Sequence, residues 1–201
     1  LSEDMFKGIA PWVTRLPGRL LHVNVVACGV FAAISGSSAA TAVTIGRMSM
    51  PELRKRGYDD RMAIGTLAGS GTLGLLIPPS IILIVYGIAA ELSIARLFIA
   101  GILPGIMLMA LFMSFVILWA LLNPSKVPKN DIKLSFWAKV YEGRRLLPIL
   151  ALIVAVLGSI YAGIATPVEA AAVGVVGSLI LAWGAGGLSK SIFTESLMGA
   201  T

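Results

Sequence analysis

Charge is scarce in this chain. Asp, Glu, Lys and Arg together make up 13% of its 201 residues, about half the share found in soluble domains. With 57% hydrophobic residues and a mean hydropathy of +0.91, there is too little polar surface to cover a water-soluble enzyme. A polytopic, all-α membrane protein follows. Cysteine is nearly absent: Cys28 alone excludes a disulfide framework and any multi-cysteine metal site, and in its apolar run it reads as inert packing. Histidine is equally rare. His22 stands next to the first apolar run near Arg19, where a headgroup-level position is expected. No metal-ligand spacing, no phosphate loop ending in Gly-Lys-Ser/Thr and no carboxylate pair inside an apolar run is present. Ser37 or Ser38 as an intramembrane nucleophile would need a base at the same depth, and none is there.

Glycine and proline, by contrast, are abundant at 22 and 10 residues, which suits a bundle with interrupted helices. The net charge of +6 sits in the gaps between apolar runs rather than on one solvated face. That is the positive-inside pattern of a membrane protein, not the footprint of a nucleic-acid binder. The chain opens on Leu1, without Met or a signal-peptide layout, and ends at Thr201 in a helix-like stretch; it is expected to be an internal piece of a longer protein.

Residues 1–22 mix Lys7, Arg15 and Arg19 with Met5, Phe6, Ile9, Trp12, Val13 and Leu16, an amphipathic segment expected at the membrane surface. Val23 to Gly46 is apolar but interrupted by Ser35-Gly36-Ser37-Ser38. The 12 residues from Val23 to Ile34 reach roughly 18 Å at 1.5 Å per residue, about half of a ~30 Å hydrocarbon core. The segment is therefore either one span with a weak centre or a re-entrant hairpin that turns at Ser35–Ser38. A hairpin leaves 15 of the 16 basic residues on one side with only Arg96 opposite, whereas a straight span divides them 12 to 4. The charge rule favours the hairpin.

A charged cluster, Arg47 to Arg61, leads into Met62 to Ala90, whose middle is broken by Gly69-Ser70-Gly71-Thr72-Leu73-Gly74 and Pro78-Pro79-Ser80. Its first half-helix is expected to end near Gly69–Gly71 and its second to restart at Pro78-Pro79-Ser80, with proline in the first turn. Leu97 to Leu122, Leu146 to Ile164 and Pro167 to Trp183 are further spans, and Gly184 to Thr201 is polar to amphipathic. Between the spans, Phe136, Trp137, Val140 and Tyr141 share a helical face with Lys133, Lys139, Arg144 and Arg145 around it, a cytoplasmic surface helix over 133–145. Thr166-Pro167-Val168-Glu169 spells a capping box, so Glu169 reads as a helix cap rather than a proton carrier.

Both interrupted segments lack charge. Irregular backbone survives at membrane depth only where protein or a wet cavity covers it. A helix end at Ser35 offers carbonyl oxygens to a hard cation such as sodium, and a helix start at Ser37–Ala39, capped by Ser37 or Ser38, offers N–H groups to a carboxylate. Two such breaks in succession point to a secondary-transporter site. Close helix packing through small residues is the competing explanation.

The run Ala33-Ile34-Ser35-Gly36-Ser37-Ser38-Ala39, then Met50-Pro51-Glu52-Leu53 with Arg56-Gly57-Tyr58, then Gly71-Thr72-Leu73-Gly74-Leu75-Leu76-Ile77-Pro78-Pro79-Ser80 resembles the large membrane subunit of TRAP (tripartite ATP-independent periplasmic) transporters. Leu97 to Gly105 and Gly163 to Gly174 extend the resemblance over nearly the whole chain. The resemblance implies a multi-pass protein of the bacterial inner membrane that imports organic acids such as C4-dicarboxylates. It implies sodium coupling with no other cofactor, an elevator mechanism and inverted repeats. Its implied partners are membrane lipids, a small membrane subunit and a periplasmic substrate-binding protein. Mapped on the chain, 23–90 is then a transport-domain part, with a re-entrant hairpin over 23–56 and a broken helix over 59–90. Residues 91–164 belong to scaffold and arm helices, and 165–201 start a second repeat. Carried over residue by residue, Ser35, Gly36, Ser37 and Ser38 form the hairpin tip. Gly69, Gly71, Thr72, Gly74, Pro78, Pro79 and Ser80 line the broken helix beside it, framing sodium and substrate. At Thr41 the chain departs from many members, which have a carboxylate nearby. A channel or structural membrane subunit without ion coupling is the alternative function.

Overall fold

The computed structural model describes residues 2–128, 135–184 and 194, and every element among them is helical. The chain divides into two compact units, Ser2–Leu147 and a second from Pro148 onward. In order come α1 (Ser2–Val13), α2 (Leu21–Ser35), α3 (Ser38–Lys55), α4 (Asp60–Gly71), a 3-10 turn at Thr72–Leu75, α5 (Ile81–Ala89) and α6 (Ile94–Leu122). A 3-10 turn at Pro124–Lys126, α7 (Phe136–Gly143), another at Arg144–Leu146, α8 (Leu147–Tyr161) and α9 (Pro167–Gly184) follow.

The first unit is built around α2, which is buried almost end to end: Leu21, Val23, Val25, Ala27, Cys28 and Ala32 are all 0% exposed. It ends where Gly36 takes a left-handed conformation (φ 60°, ψ 8°) and returns its N–H to Ala32 O at 3.0 Å, the usual glycine stop. Extended Ser37 then opens α3, its Oγ accepting from Ala40 N–H at 3.4 Å. The chain folds back on itself, because Leu20 N–H, ahead of α2, reaches the Tyr58 hydroxyl beyond α3 at 3.3 Å. At 15 residues, α2 is roughly 22 Å long, too short for a ~30 Å core.

α4 starts at an Asp59 cap, whose Oδ1 accepts from Met62 N–H at 2.9 Å. Its α-helical part ends at Gly71, but the chain keeps coiling as a 3-10 turn to Leu75, so the unwound stretch is Leu76–Ser80. Pro78 and Pro79, joined by a cis peptide, lie in that stretch rather than in the first turn of α5. The residue ahead of a proline is pushed out of the helical region, and α5 begins only after an extended Ser80 (φ −118°, ψ 129°). α6 crosses directly behind the break: a Cβ at Gly101 would sit 2.8 Å from Leu76 O, and one at Gly105 2.9 Å from Ile77 Cγ1. Only glycine admits that approach.

Among the described residues three stretches are long and apolar enough to cross a membrane: Ile94–Leu122, Trp137–Tyr161 counted through its 3-10 turn, and Pro167–Gly184. Their outward faces are apolar, with Leu103 76%, Leu122 72% and Val168 81% exposed, a surface that water does not tolerate at this extent. The protein is an all-α integral membrane protein.

Two expectations near the surface change. The stripe Met5, Ile9 and Val13 of α1 is buried in protein: α1 packs on α2 and α3 as well as on α7 and the following turn, where a Cβ on Gly8 would touch Leu146 Cγ at 2.8 Å and one on Gly143 would approach Trp12 Nε1 at 3.4 Å. His22 is not at a surface but 0% exposed, with Nε2 2.6 Å from Pro17 O. α7 covers the aromatic part of the basic segment; Lys133 lies outside the described residues, as does all of 185–201 except Thr194.

In the second unit the capping box forms in both directions. Thr166 N–H donates to Glu169 Oε2 at 2.7 Å and Glu169 N–H to Thr166 Oγ1 at 3.3 Å.

Two stability predictions follow from these contacts. Gly36→Ala strains the backbone and drives a Cβ to 2.5 Å from Pro79 O, whereas Gly57 (φ 78°) has nothing within 4 Å. Thermal melting of the purified full-length protein should show Gly36→Ala losing ~1–3 kcal/mol more than Gly57→Ala; equal losses would mean that the tip is loosely packed. Glu169→Ala should lower the melting temperature in the same assay, because the reciprocal cap is lost, and leave the pH dependence of uptake unaltered, as befits a cap.

Candidate functional site

The hairpin tip and the break meet. Gly36 O accepts the N–H of Ile81, the first residue of α5, at 3.4 Å. A Cβ on Gly74 would lie 2.9 Å from Ser37 C and Ser38 N, and one on Gly71 2.9 Å from Ala42 Cβ. Glycines at 36, 71 and 74 therefore let two backbones touch where any side chain would hold them apart. Four helix ends converge here: the C-terminal ends of α2 and of the Thr72–Leu75 turn, and the N-terminal ends of α3 and α5.

Within the tip the polar groups close on one another. Ser35 Oγ lies 2.9 Å from Thr41 Oγ1 and accepts from Ser37 N–H at 3.4 Å. Because Ser37 N–H goes to that hydroxyl, the carbonyls at the end of α2, Ala33 to Ser35, lie beyond their own helix's donors. Ser38 Oγ is shielded from solvent with no hydrogen-bond partner, and so is Ser70 Oγ one element away. These are unsatisfied hard oxygen groups in a place without formal charge.

Across the break the groups are more committed than the sequence suggests. Thr72 Oγ1 donates to Gly69 O at 2.6 Å, so that carbonyl is not bare. Ser80 Oγ turns back to Leu75 O at 2.7 Å and does not cap α5. Ser35, Gly36, Ser37, Ser38, Gly71, Gly74, Pro79 and Ser80 thus gather around the junction. Gly69 faces away toward Phe112, 3.4 Å from its would-be Cβ, and Pro78 lies against Gly101 of α6.

Two residues of this region carry roles that motif reading passed over. Thr41, 0% exposed, crosses the hairpin to Ser35. Asn24, also 0% exposed, ties α2 to α4: its Nδ2 donates to Ala63 O at 3.1 Å and to Thr66 Oγ1 at 3.0 Å. A lone amide in the apolar run Val23 to Ile34 was the available signal, since burying one costs free energy unless it finds a partner. Around the junction no catalytic constellation forms, and among the described residues no three His, Cys, Asp or Glu side chains cluster to hold a metal.

Comparison with known proteins supplies the family. The sequence model of the tripartite ATP-independent periplasmic transporter DctM component matches residues 1–200. The chain is 40% identical over 171 residues to the C4-dicarboxylate TRAP transporter large permease protein DctM of Pseudomonas aeruginosa, covering 85% of this chain and 39% of that one. It is 36% identical over 173 residues to the ectoine/5-hydroxyectoine TRAP transporter large permease protein UehC of Ruegeria pomeroyi, covering 86% and 40%. With the sialic acid TRAP transporter permease protein SiaT of Haemophilus influenzae it shares 34% over 190 residues, covering 90% and 29%. The chain spans 39% and 36% of the length of the first two curated relatives it matches. These relatives are named as permeases, not enzymes. An all-helical, apolar chain whose glycine-rich breaks interlock, and which matches that family along its whole length, belongs to the DctM family of TRAP transporter large permease components.

Proposed function

We propose that the parent protein of this chain is a sodium-coupled symporter of the bacterial inner membrane that imports organic acids. The observation that carries the reading is the junction of four helix ends held by the Gly36 O to Ile81 N–H bond and the Gly74 contact with Ser38. Carbonyls at the end of α2 and the unpartnered Ser38 Oγ supply neutral, hard oxygen ligands of the kind that suit sodium. The starts of α3 and α5 present N–H groups and positive dipole ends to a substrate carboxylate. The relatives are named for C4-dicarboxylates, ectoine, sialic acid and isethionate, solutes that each carry an acidic oxyanion, carboxylate or sulfonate, which suits a site built from helix starts. The substrate is delivered by a periplasmic binding protein, and a small membrane subunit completes the assembly, as the tripartite family name implies.

The hairpin α2–α3 enters the bilayer from the cytoplasmic side and returns there, its tip near the midplane. α2, α4 and α6 pack with it into one body that carries the site across the membrane as an elevator. The packing of α6 on the break through Gly101 and Gly105 supports including it in that body rather than in the scaffold to which 91–164 was assigned from the sequence.

Sidedness tests the topology. In the Cys28→Ala background, single cysteines replacing the exposed Arg15 and Lys55 should both resist a membrane-impermeant thiol reagent in intact cells and react once the membrane is opened. Labelling of either from outside would make Val23–Gly46 a plain span. Uptake tests the site. In the complete transporter, Ser38→Ala should raise the sodium concentration for half-maximal uptake about fivefold, the scale of one lost hydroxyl contact at ~1 kcal/mol. Uptake indifferent to sodium would leave a channel instead.

A further inference from the structure

Thr41 lies one helical turn into α3 and is wholly buried, whereas Ser35, at the end of α2, stays partly exposed. Their hydroxyl oxygens are 2.9 Å apart, and one proton fills that contact. Ser35 Oγ has a second acceptor within reach, Ser37 O at 3.4 Å. Thr41 Oγ1 has none among the described residues. With Ser35 as donor, the Thr41 proton would be left unpaired in a buried place, which is the costly arrangement. Thr41 therefore donates to Ser35.

Ser35 Oγ is then fully engaged. It accepts from Thr41 and from Ser37 N–H and donates to Ser37 O, which uses both lone pairs and the proton of a hydroxyl. Ser37 is in turn held at each of its polar atoms: its N–H by Ser35 Oγ at 3.4 Å, its carbonyl by Thr41 N–H at 3.0 Å, and its Oγ by Ala40 N–H at 3.4 Å. Thr41 thus reaches the turn twice, by backbone to Ser37 and by side chain to Ser35. The two residues that it fixes flank Gly36, whose carbonyl makes the bond to Ile81. Because Ser37 N–H is spent on Ser35 Oγ, it does not close on the last carbonyls of α2.

We propose, on the reading of the junction as a sodium site, that Thr41 is its positioning residue: acting through Ser35, it holds the hairpin tip in the form that leaves the last α2 carbonyls open before any ion arrives. An ion that meets a formed tip loses none of its binding free energy to ordering it. Without the Thr41 hydroxyl, Ser35 is free to rotate and Ser37 N–H is released toward those carbonyls. Only the fraction of tips that remains ordered then binds, and the apparent affinity falls by that fraction.

The test is equilibrium binding of radioactive sodium ions to the purified full-length permease at constant ionic strength. Thr41→Val replaces the hydroxyl by a methyl group of similar size and should raise the half-saturating sodium concentration about fivefold, the scale of one hydrogen bond. Thr41→Ser keeps the hydroxyl and should stay close to the wild type. Ser35→Ala breaks the same bond from the partly exposed side, so it reports even where a buried valine hinders folding, and it should match the Thr41→Val rise. The double variant should show the rise of one substitution, not the product of two. A product of the two rises would overturn the proposal, because Thr41 would not be acting through Ser35. So would a Thr41→Val protein that melts lower but binds sodium as the wild type does, which is a packing role alone. A wild type that binds no sodium would sink the symport reading and the role of Thr41 together, whereas a wild type that binds sodium beside an unchanged Thr41→Val sinks the role of Thr41 only.

Discussion

Inside hydrocarbon an unpaired backbone N–H or C=O costs several kcal/mol, and that single penalty organises the first unit. Two segments that sequence forbids from staying helical, one at Gly36 and one at Leu76–Ser80, are pressed together so that each covers the other. The Gly36 O to Ile81 N–H bond is the direct exchange between them. α6 closes the back of the break with Gly101 and Gly105, and α2 is buried because it stands at the centre of this arrangement. After this mutual covering Ser38 Oγ is left without a hydrogen-bond partner, and it is one of the groups that the proposed function assigns to solutes. Stability and site are set by the same contacts.

Much of this was legible in the residues. Ser-Gly-Ser-Ser in an apolar run marks where α2 stops and α3 starts, since glycine supplies the left-handed stop and serine the next cap. Thr166 and Glu169 announce their reciprocal bonds by spacing alone. These are local effects within a few residues, where chain geometry decides the outcome.

What was not legible depends on partners far away in the chain. The stripe of α1 has the same pattern whether it faces lipid or protein, and its partners, α2 and α3 together with α7 more than a hundred residues later, decide for protein. His22 beside Arg19 looks interfacial until the loop carbonyl of Pro17 and the burial of α2 are known. The 3-10 continuation from Thr72 to Leu75 arises because Thr72 Oγ1 holds Gly69 O and the turn tightens rather than opens. The latch from Asn24 to Ala63 and Thr66 spans 39 and 42 residues, beyond the reach of any short motif.

The capping box of α9 sets that helix start apart from the two in the junction. Glu169 places its own carboxylate on the cap residue just ahead of the helix, with Thr166 N–H and Oγ1 both donating to Oε2 at 2.7 and 2.8 Å. A tethered anion three residues away is present at an effective concentration that free solutes do not approach. The start of α9 is thus self-occupied. At α3 and α5 the capping residues are neutral serines, and one of them, Ser80, turns its hydroxyl elsewhere. The chain supplies an internal anion at one helix start and withholds it at the two that meet in the junction, a difference on which the proposed carboxylate site relies.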